Sequence, residues 1–139
     1  MKPEKFHSSK APEPVGNYPH AIKAGNFLFL SGIGPREQGK SKIPGVKLDK
    51  KGDIISYDIK TQCHSVFNNV RIILEESGSS WENLVDVTVF LTNMKVDFPI
   101  FNRLYGEYFK TNQPCRTTIE IKSLPTPIAI ELKCIATIQ

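Results

Sequence analysis

At 139 residues, with 40% apolar and 23% charged side chains, the chain has the size and balance of a single globular domain, which buries roughly two-thirds of its unfolded surface. Its net charge of +4 attracts phosphate at long range, but the lysines are mostly scattered. The one concentration, Lys40, Lys42, Lys47, Lys50 and Lys51, holds no aromatic residue on which a base could stack, so it reads as a solvated loop and nucleic acid is not an expected partner.

Residues 1–20 are polar and spotted with proline, without the apolar centre of a signal peptide. Residues 21–24 and 27–31 then flank Gly25-Asn26, a pair that tolerates positive φ and predicts a tight hairpin. Residues 33–52 hold four glycines and two prolines and read as a long loop with room for one short strand. Ile59, Cys63, Val66, Phe67, Val70, Ile73 and Leu74 recur at steps of three and four, which predicts a helix capped by Ser56 and closed by Gly78. Over residues 84–91 the period falls to two, with Val85, Val87, Val89 and Leu91 on one face of a strand. Asp97 as N-cap and Pro99 in the first turn predict a second helix that buries Phe101, Leu104, Tyr105 and Tyr108.

Two further strands are expected over residues 116–121 and 128–138, separated by a segment too rich in proline to lie within a sheet. The last strand puts Ile128, Ile130, Leu132, Cys134, Ala136 and Ile138 on one face. Its other face, with Ala129, Glu131, Lys133, Ile135 and Thr137, is neither wholly core nor wholly solvent. The order β-β-α-β-α-β-β predicts an α+β fold, one sheet with two helices on a single face. The mixed face, bearing Ile135 and Phe90, needs cover, and a second copy of the chain supplies it most simply.

No run reaches the ~18 apolar residues of a membrane span, and the three cysteines, Cys63, Cys115 and Cys134, contain no CxxC pair. A cytosolic protein with reduced thiols is expected, without a disulfide framework or zinc site. Arg116 draws attention in a chain with four arginines against fourteen lysines, because a guanidinium holds a carboxylate through two parallel hydrogen bonds as lysine cannot. A structural ion pair would also account for it. Glu131 is a lone acid in an apolar strand; it is either paired, with a lysine or with Arg116, or held desolvated with a raised pKa that suits proton transfer. Cys115 beside the arginine has both a nucleophilic and a packing reading, and His20 and His64 are each a base or an ordinary turn or surface histidine. No GxGxxG or P-loop spacing is present, so a nucleotide site has no support.

Taken together, Gly16-Asn17-Tyr18-Pro19-His20-Ala21, Phe29-Leu30-Ser31-Gly32, Val87-Thr88-Val89-Phe90-Leu91, Asn102 through Phe109, Pro114-Cys115-Arg116-Thr117-Thr118 and Ile130-Glu131 through Ala136 resemble the Rid (reactive intermediate deaminase, YjgF-type) family. The match runs from about Val15 to the C-terminus. Within the family the chain is most similar to the 2-aminomuconate deaminase branch, through Tyr18-Pro19-His20, Arg36, Val85-Asp86-Val87-Thr88 and Leu124-Pro125-Thr126-Pro127.

The resemblance implies a chorismate-mutase-like fold, a homotrimer with sites between subunits, and hydrolysis of an enamine or imine to a ketone and ammonia without cofactor or metal. It implies that Arg116 clamps the substrate carboxylate and that Glu131 orients the attacking water. Tyr18, Ser31, Gly32 and Asn102 would line the pocket, and the Cys115 carbonyl would accept a hydrogen bond from the substrate nitrogen. Many members carry glutamine after the Ser-Gly pair where this chain has Ile33, with Arg36 close behind. That departure suits a second acidic group on the substrate, as in 2-aminomuconate, over general 2-imino acid clearance. Some members are labelled endoribonucleases or translation inhibitors, a further reading with which the basic charge is compatible.

Overall fold

The computed structural model describes residues 2–139. Its main sheet has six strands in the order β1-β2-β3-β8-β6-β7. These are β1 (Glu4–Phe6), β2 (Ala21–Ala24), β3 (Phe27–Leu30), β6 (Leu84–Leu91), β7 (Cys115–Glu120) and β8 (Ile130–Thr137). All neighbours are antiparallel except β6 and β7, so the sheet is mixed. A separate antiparallel ribbon joins β4 (Val46–Leu48) to β5 (Ile54–Tyr57).

Helices α1 (Ile59–Glu76) and α2 (Met94–Tyr108) cover one face of the sheet, as the α+β pattern predicts. The apolar stripe of α1 is buried from Ile59 through Leu74 against Leu28, Leu30, Val87, Val89, Leu132, Cys134 and Ala136. Burial pushes the thiols of Cys63 and Cys134 up to about 12. The seam between the helices is aromatic: Phe67 of α1 is fully buried, with the rings of Trp81, Phe101, Tyr105, Tyr108 and Phe109 all centred within 6.4 Å of its own. Because no other side chain can close that hole, Phe67→Ala is expected to lower stability by about 3–5 kcal/mol. The check is a urea denaturation curve with an earlier midpoint and an unchanged slope.

Both hairpin and helix stop follow local chemistry. Gly25 adopts φ 64° between β2 and β3, and at the end of α1 the Gly78 and Ser79 amides donate back to Glu75 and Leu74 at 3.2 and 2.8 Å around a φ of 86°, the paired bonds of a Schellman stop.

Several expectations are corrected. The polar N-terminus contributes β1, because Phe6 can pair with Ala21 on the free edge of β2. The long loop holds its one short strand, β4, as expected, but this pairs with an unforeseen β5 in a complete hairpin that turns at Gly52, φ 88°. Asp58, not Ser56, precedes α1, and Asn93, not Asp97, caps α2 by accepting from the Val96 amide at 3.2 Å. Pro99 therefore lies inside α2. Asp97 is instead buried, accepting a 2.6 Å hydrogen bond from the Tyr57 hydroxyl that ties the ribbon to α2.

In β6 a register shift between Leu84 and Asp86 buries Leu84 and leaves Val85 exposed. Strand β8 starts at Ile130, since the Ala129 amide is drawn to the Gln62 side chain at 2.8 Å. The sheet face away from the helices stays uncovered in the single chain, with Phe27, Phe29, Val85 and Ile119 exposed. Among the described residues no helix is long and apolar enough to cross a membrane.

Candidate active site

Glu131 points to the open face of β8, opposite Phe90 of β6. Its carboxyl lies against Gly32, where an added Cβ would sit 2.6 Å from Oε2, so only glycine lets the segment after β3 pass this close. That segment is fixed by the Ile33 pairing with Leu132, a bond of 2.9 Å in each direction. The carboxyl lines a cavity of about 140 Å³ together with Tyr18, Ser31, Gly32, Arg36 and Ile128. Burial raises the Glu131 pKa above the usual carboxylate value. Among the described residues the one ion pair within 4.0 Å joins Lys40 to Glu37, so neither a lysine nor Arg116 neutralises Glu131. Of the two readings of this residue, the structure matches the desolvated, unpaired acid.

The other cavity residues are held by backbone acceptors. The Ser31 hydroxyl donates to the Pro19 carbonyl at 2.7 Å, and Arg36 Nη2 donates to the Glu13 carbonyl at 2.7 Å, which leaves most of its donors unspent. Asn69 of α1 donates to the Gly34 and Arg36 carbonyls at 2.9 and 2.6 Å and so pins the loop that carries Arg36. Sequence reasoning missed that role; the signal was a polar residue beside Val66 and Val70 in the apolar stripe of α1. It also missed Pro12, Pro14 and Val15, which form a cavity wall. His20 is buried with both ring nitrogens engaged, Nδ1 accepting from the Ser8 amide and Nε2 facing the Pro12 carbonyl, each at 2.8 Å, so it is not a free base. His64 sits on the exposed side of α1 against the Tyr108 hydroxyl at 2.7 Å.

Arg116 lies elsewhere. On β7, in register with Val87 and Cys134, it turns to the helix side of the sheet, with its Cζ atom 4.6 Å from the centre of the Tyr105 ring and 5.5 Å from that of Phe101. Nη1 donates to Asn102 Oδ1 at 2.9 Å, so the two residues expected to bind substrate do meet. Cys115, exposed at the start of β7, alternates to the other face. Glu131 is two strands away and three residues along from Cys134, which puts roughly 14 Å between its Cα atom and that of Arg116 at ordinary strand spacings. One protomer thus holds two groupings, Glu131 with Tyr18, Ser31, Gly32 and Arg36, and Arg116 with Asn102, on opposite faces.

The model of the Endoribonuclease L-PSP family matches residues 8–138. The chain belongs to this family, that of the Rid (YjgF-type) proteins. It is 38% identical over 136 residues to a RutC family protein of Pyrococcus abyssi, covering 98% of both chains. It is 34% identical over 138 residues to the chloroplastic Reactive Intermediate Deaminase A of Arabidopsis thaliana, covering 99% of this chain and 67% of that one. Among solved structures, yeast Mmf1 superposes with a TM-score of 0.85 at 33% identity, over 99% of this chain and 100% of that one. Membership, with a deaminase among the relatives, supports imine or enamine deamination at the level of the family. The Rid fold agrees with the resemblance read from the sequence.

Proposed function

We propose that the protein hydrolyses a carboxylate-bearing enamine or imine to the keto acid and ammonia, at a site where the Glu131 grouping of one copy meets the Arg116 grouping of the next. The observation that carries this reading is Glu131 itself: a half-buried, unpaired acid with a raised pKa, facing a cavity. A group in that state can take a proton from water near neutral pH.

The chemistry needs no more than the chain offers. An enamine first tautomerises to its imine, which takes a proton to become the iminium ion; water then adds to the iminium carbon as the carboxylate accepts a proton from that water. The carbinolamine formed holds oxygen and nitrogen on one carbon. The carboxyl returns its proton to nitrogen, the C–N bond breaks, and ammonia leaves as the carbonyl forms and the hydroxyl proton passes back to the carboxylate. Arg116 would hold the substrate carboxylate through charge-assisted bonds, worth on the order of 1.5–3 kcal/mol, with Asn102 steadying the guanidinium. The Cys115 carbonyl would receive the substrate N–H in this scheme. No cofactor or metal enters the scheme.

The uncovered apolar residues of the sheet support closure into a homo-oligomer, for which a trimer is our proposal, with a small carboxylate as partner and no role for nucleic acid. A cytosolic location belongs to the same proposal. Arg36, in the Glu131 cavity with donors to spare, suits a second acidic group, so the dicarboxylate 2-aminomuconate is favoured over 2-iminopropionate. Ammonia release from the two substrates decides between them: a rate with 2-aminomuconate no greater than with 2-iminopropionate removes the narrower assignment. The broader one is tested by Arg116→Ala, which is expected to raise KM by about tenfold or more, the equivalent of losing one charge-assisted clamp. An unchanged KM would sink the clamp.

A further inference from the structure

We propose that His20 is a positioning residue for the Glu131 cavity: a neutral imidazole, protonated on Nε2, that clasps residues 8–19 into place as the cavity's outer wall. The inference rests on the reading of this cavity as the deaminase site.

The tautomer follows from the partners. The Ser8 amide can only donate, so Nδ1, 2.8 Å away, must present its lone pair. The Pro12 carbonyl can only accept, so Nε2, also at 2.8 Å, must carry the proton. A rigid ring spanning a donor and an acceptor fixes two points of the segment, and burial of the ring shields both bonds from water. The backbone of the same residue is spent as well. Its amide donates to Phe6 at 3.0 Å, and its carbonyl accepts from Ser31 at 2.9 Å. One residue therefore joins the end of β1, the segment beyond it and the exit of β3 that carries Ser31 and Gly32.

What the clasp holds is a cavity wall. Beyond Pro12 the chain has no regular structure up to β2, and Pro14, Val15 and Tyr18 of this stretch line the cavity. Its other ties to the body of the protein lie at the ends of the stretch and at Glu13: Ser8 donates to Glu76 and accepts from the Ala11 amide at 3.0 Å, the Lys10 amide donates to Glu76 at 3.3 Å, Glu13 accepts from Arg36, and Pro19 accepts from the Ser31 hydroxyl at 2.7 Å. Without the imidazole the wall would keep its covalent path and the Arg36 and Ser31 bonds but lose the two that hold Ser8 and Pro12 to the sheet. Substrate affinity is then the quantity that should suffer, since both ring nitrogens of His20 are spent on protein partners and neither is left for proton transfer.

The test joins nuclear magnetic resonance to kinetics in the full-length chain. In the wild type, His20 should show a protonated Nε2 and a bare Nδ1, and the Ser8 amide should exchange slowly with deuterium. In His20→Ala that amide should exchange much faster, and KM for the imino acid should rise about tenfold or more while kcat stays within about threefold, the pattern of a misplaced wall. His20→Gln keeps one donor and one acceptor and should recover part of both losses; it also serves as the variant of record should the alanine protein not fold. A protonated Nδ1, fast Ser8 exchange in the wild type, or a fall in kcat at unchanged KM would each overturn the clasp. Slow exchange that His20→Ala releases, in a protein that hydrolyses no imine, would leave the clasp standing and remove the deaminase reading instead.

Discussion

Assayed at substrate well below KM, where Arg116→Ala keeps about a tenth of the wild-type rate or less and Glu131→Gln far less, the two chains are expected to regain about a quarter of wild-type ammonia release when unfolded, mixed in equal amounts and refolded together. The expectation comes from the sheet. Arg116 faces the helices from the edge strand β7, whereas Glu131 faces the open side of β8, with β6 between them. No side-chain movement within one chain carries a guanidinium through a sheet. A substrate touched by both groups must therefore sit between copies. In a closed ring each copy offers its Arg116 side to one neighbour and its Glu131 side to the other. A site is intact only when a chain with native Arg116 adjoins a chain with native Glu131 in the right order, one arrangement in every four. If both groups came from a single chain, every site in the mixture would lack one of them. Ammonia release no higher than that of the separate variants, from a mixture shown to be co-assembled, would therefore rule out a shared site.

The sequence spoke most clearly where a periodic signal was long. The stripe from Ile59 to Leu74 located α1, and Gly78 its end, because a left-handed residue there has one purpose. Alternation in β8 put Glu131 on the face away from Leu132 and Cys134, which is where it lies. Short or irregular features were hidden. Strand β1 has three residues, too few for a period; β4, equally short, showed only as room for one strand in a long loop, and its four-residue partner β5 was not foreseen. The two capping residues were misplaced for a related reason: Ser56 lies within the unforeseen β5, and Asn93 and Asp97 are both able caps that only the tertiary position of Tyr57, which claims Asp97, separates. The shift beside Val85 follows from pairing with β8 and has no mark in its own strand.

The same limit applies to the site. Residue type and neighbourhood singled out Arg116, Glu131 and Ser31-Gly32, and the fold gives each of these a local reason. Gly32 is needed because the Glu131 carboxyl fills the space a side chain would take. That Asn102 meets Arg116 follows from α2 packing beside β7, fourteen positions apart in sequence. The engagement of both His20 nitrogens depends on Ser8 and Pro12 folding back from upstream, contacts with no periodic signature.

Glu131→Gln is expected to lower kcat by about 10²–10⁴-fold, the usual contribution of a positioned general base, while making the protein more stable at neutral pH. Both effects come from burial of one carboxyl. Desolvation raises its folded pKa above the ordinary carboxylate value it has in the unfolded chain. Between those two values the unfolded chain has released a proton that the folded chain retains, so stability falls as pH rises through that window. Below it, wild type and variant should differ little. Above the folded pKa the wild type carries a desolvated charge that glutamine, nearly the same shape, does not. Melting temperatures of the two proteins should accordingly diverge with rising pH, the variant the higher. Activity runs the opposite way, since the base works only when ionised, and the wild-type rate should drop as pH falls through the same pKa. An approaching Arg116 would favour the ionised form, so Arg116→Ala should move that acid limb to higher pH. Equal melting temperatures for wild type and Glu131→Gln at every pH would mean that this carboxyl is not desolvated in the assembled protein, and the proton-transfer role assigned to it would fall with that result.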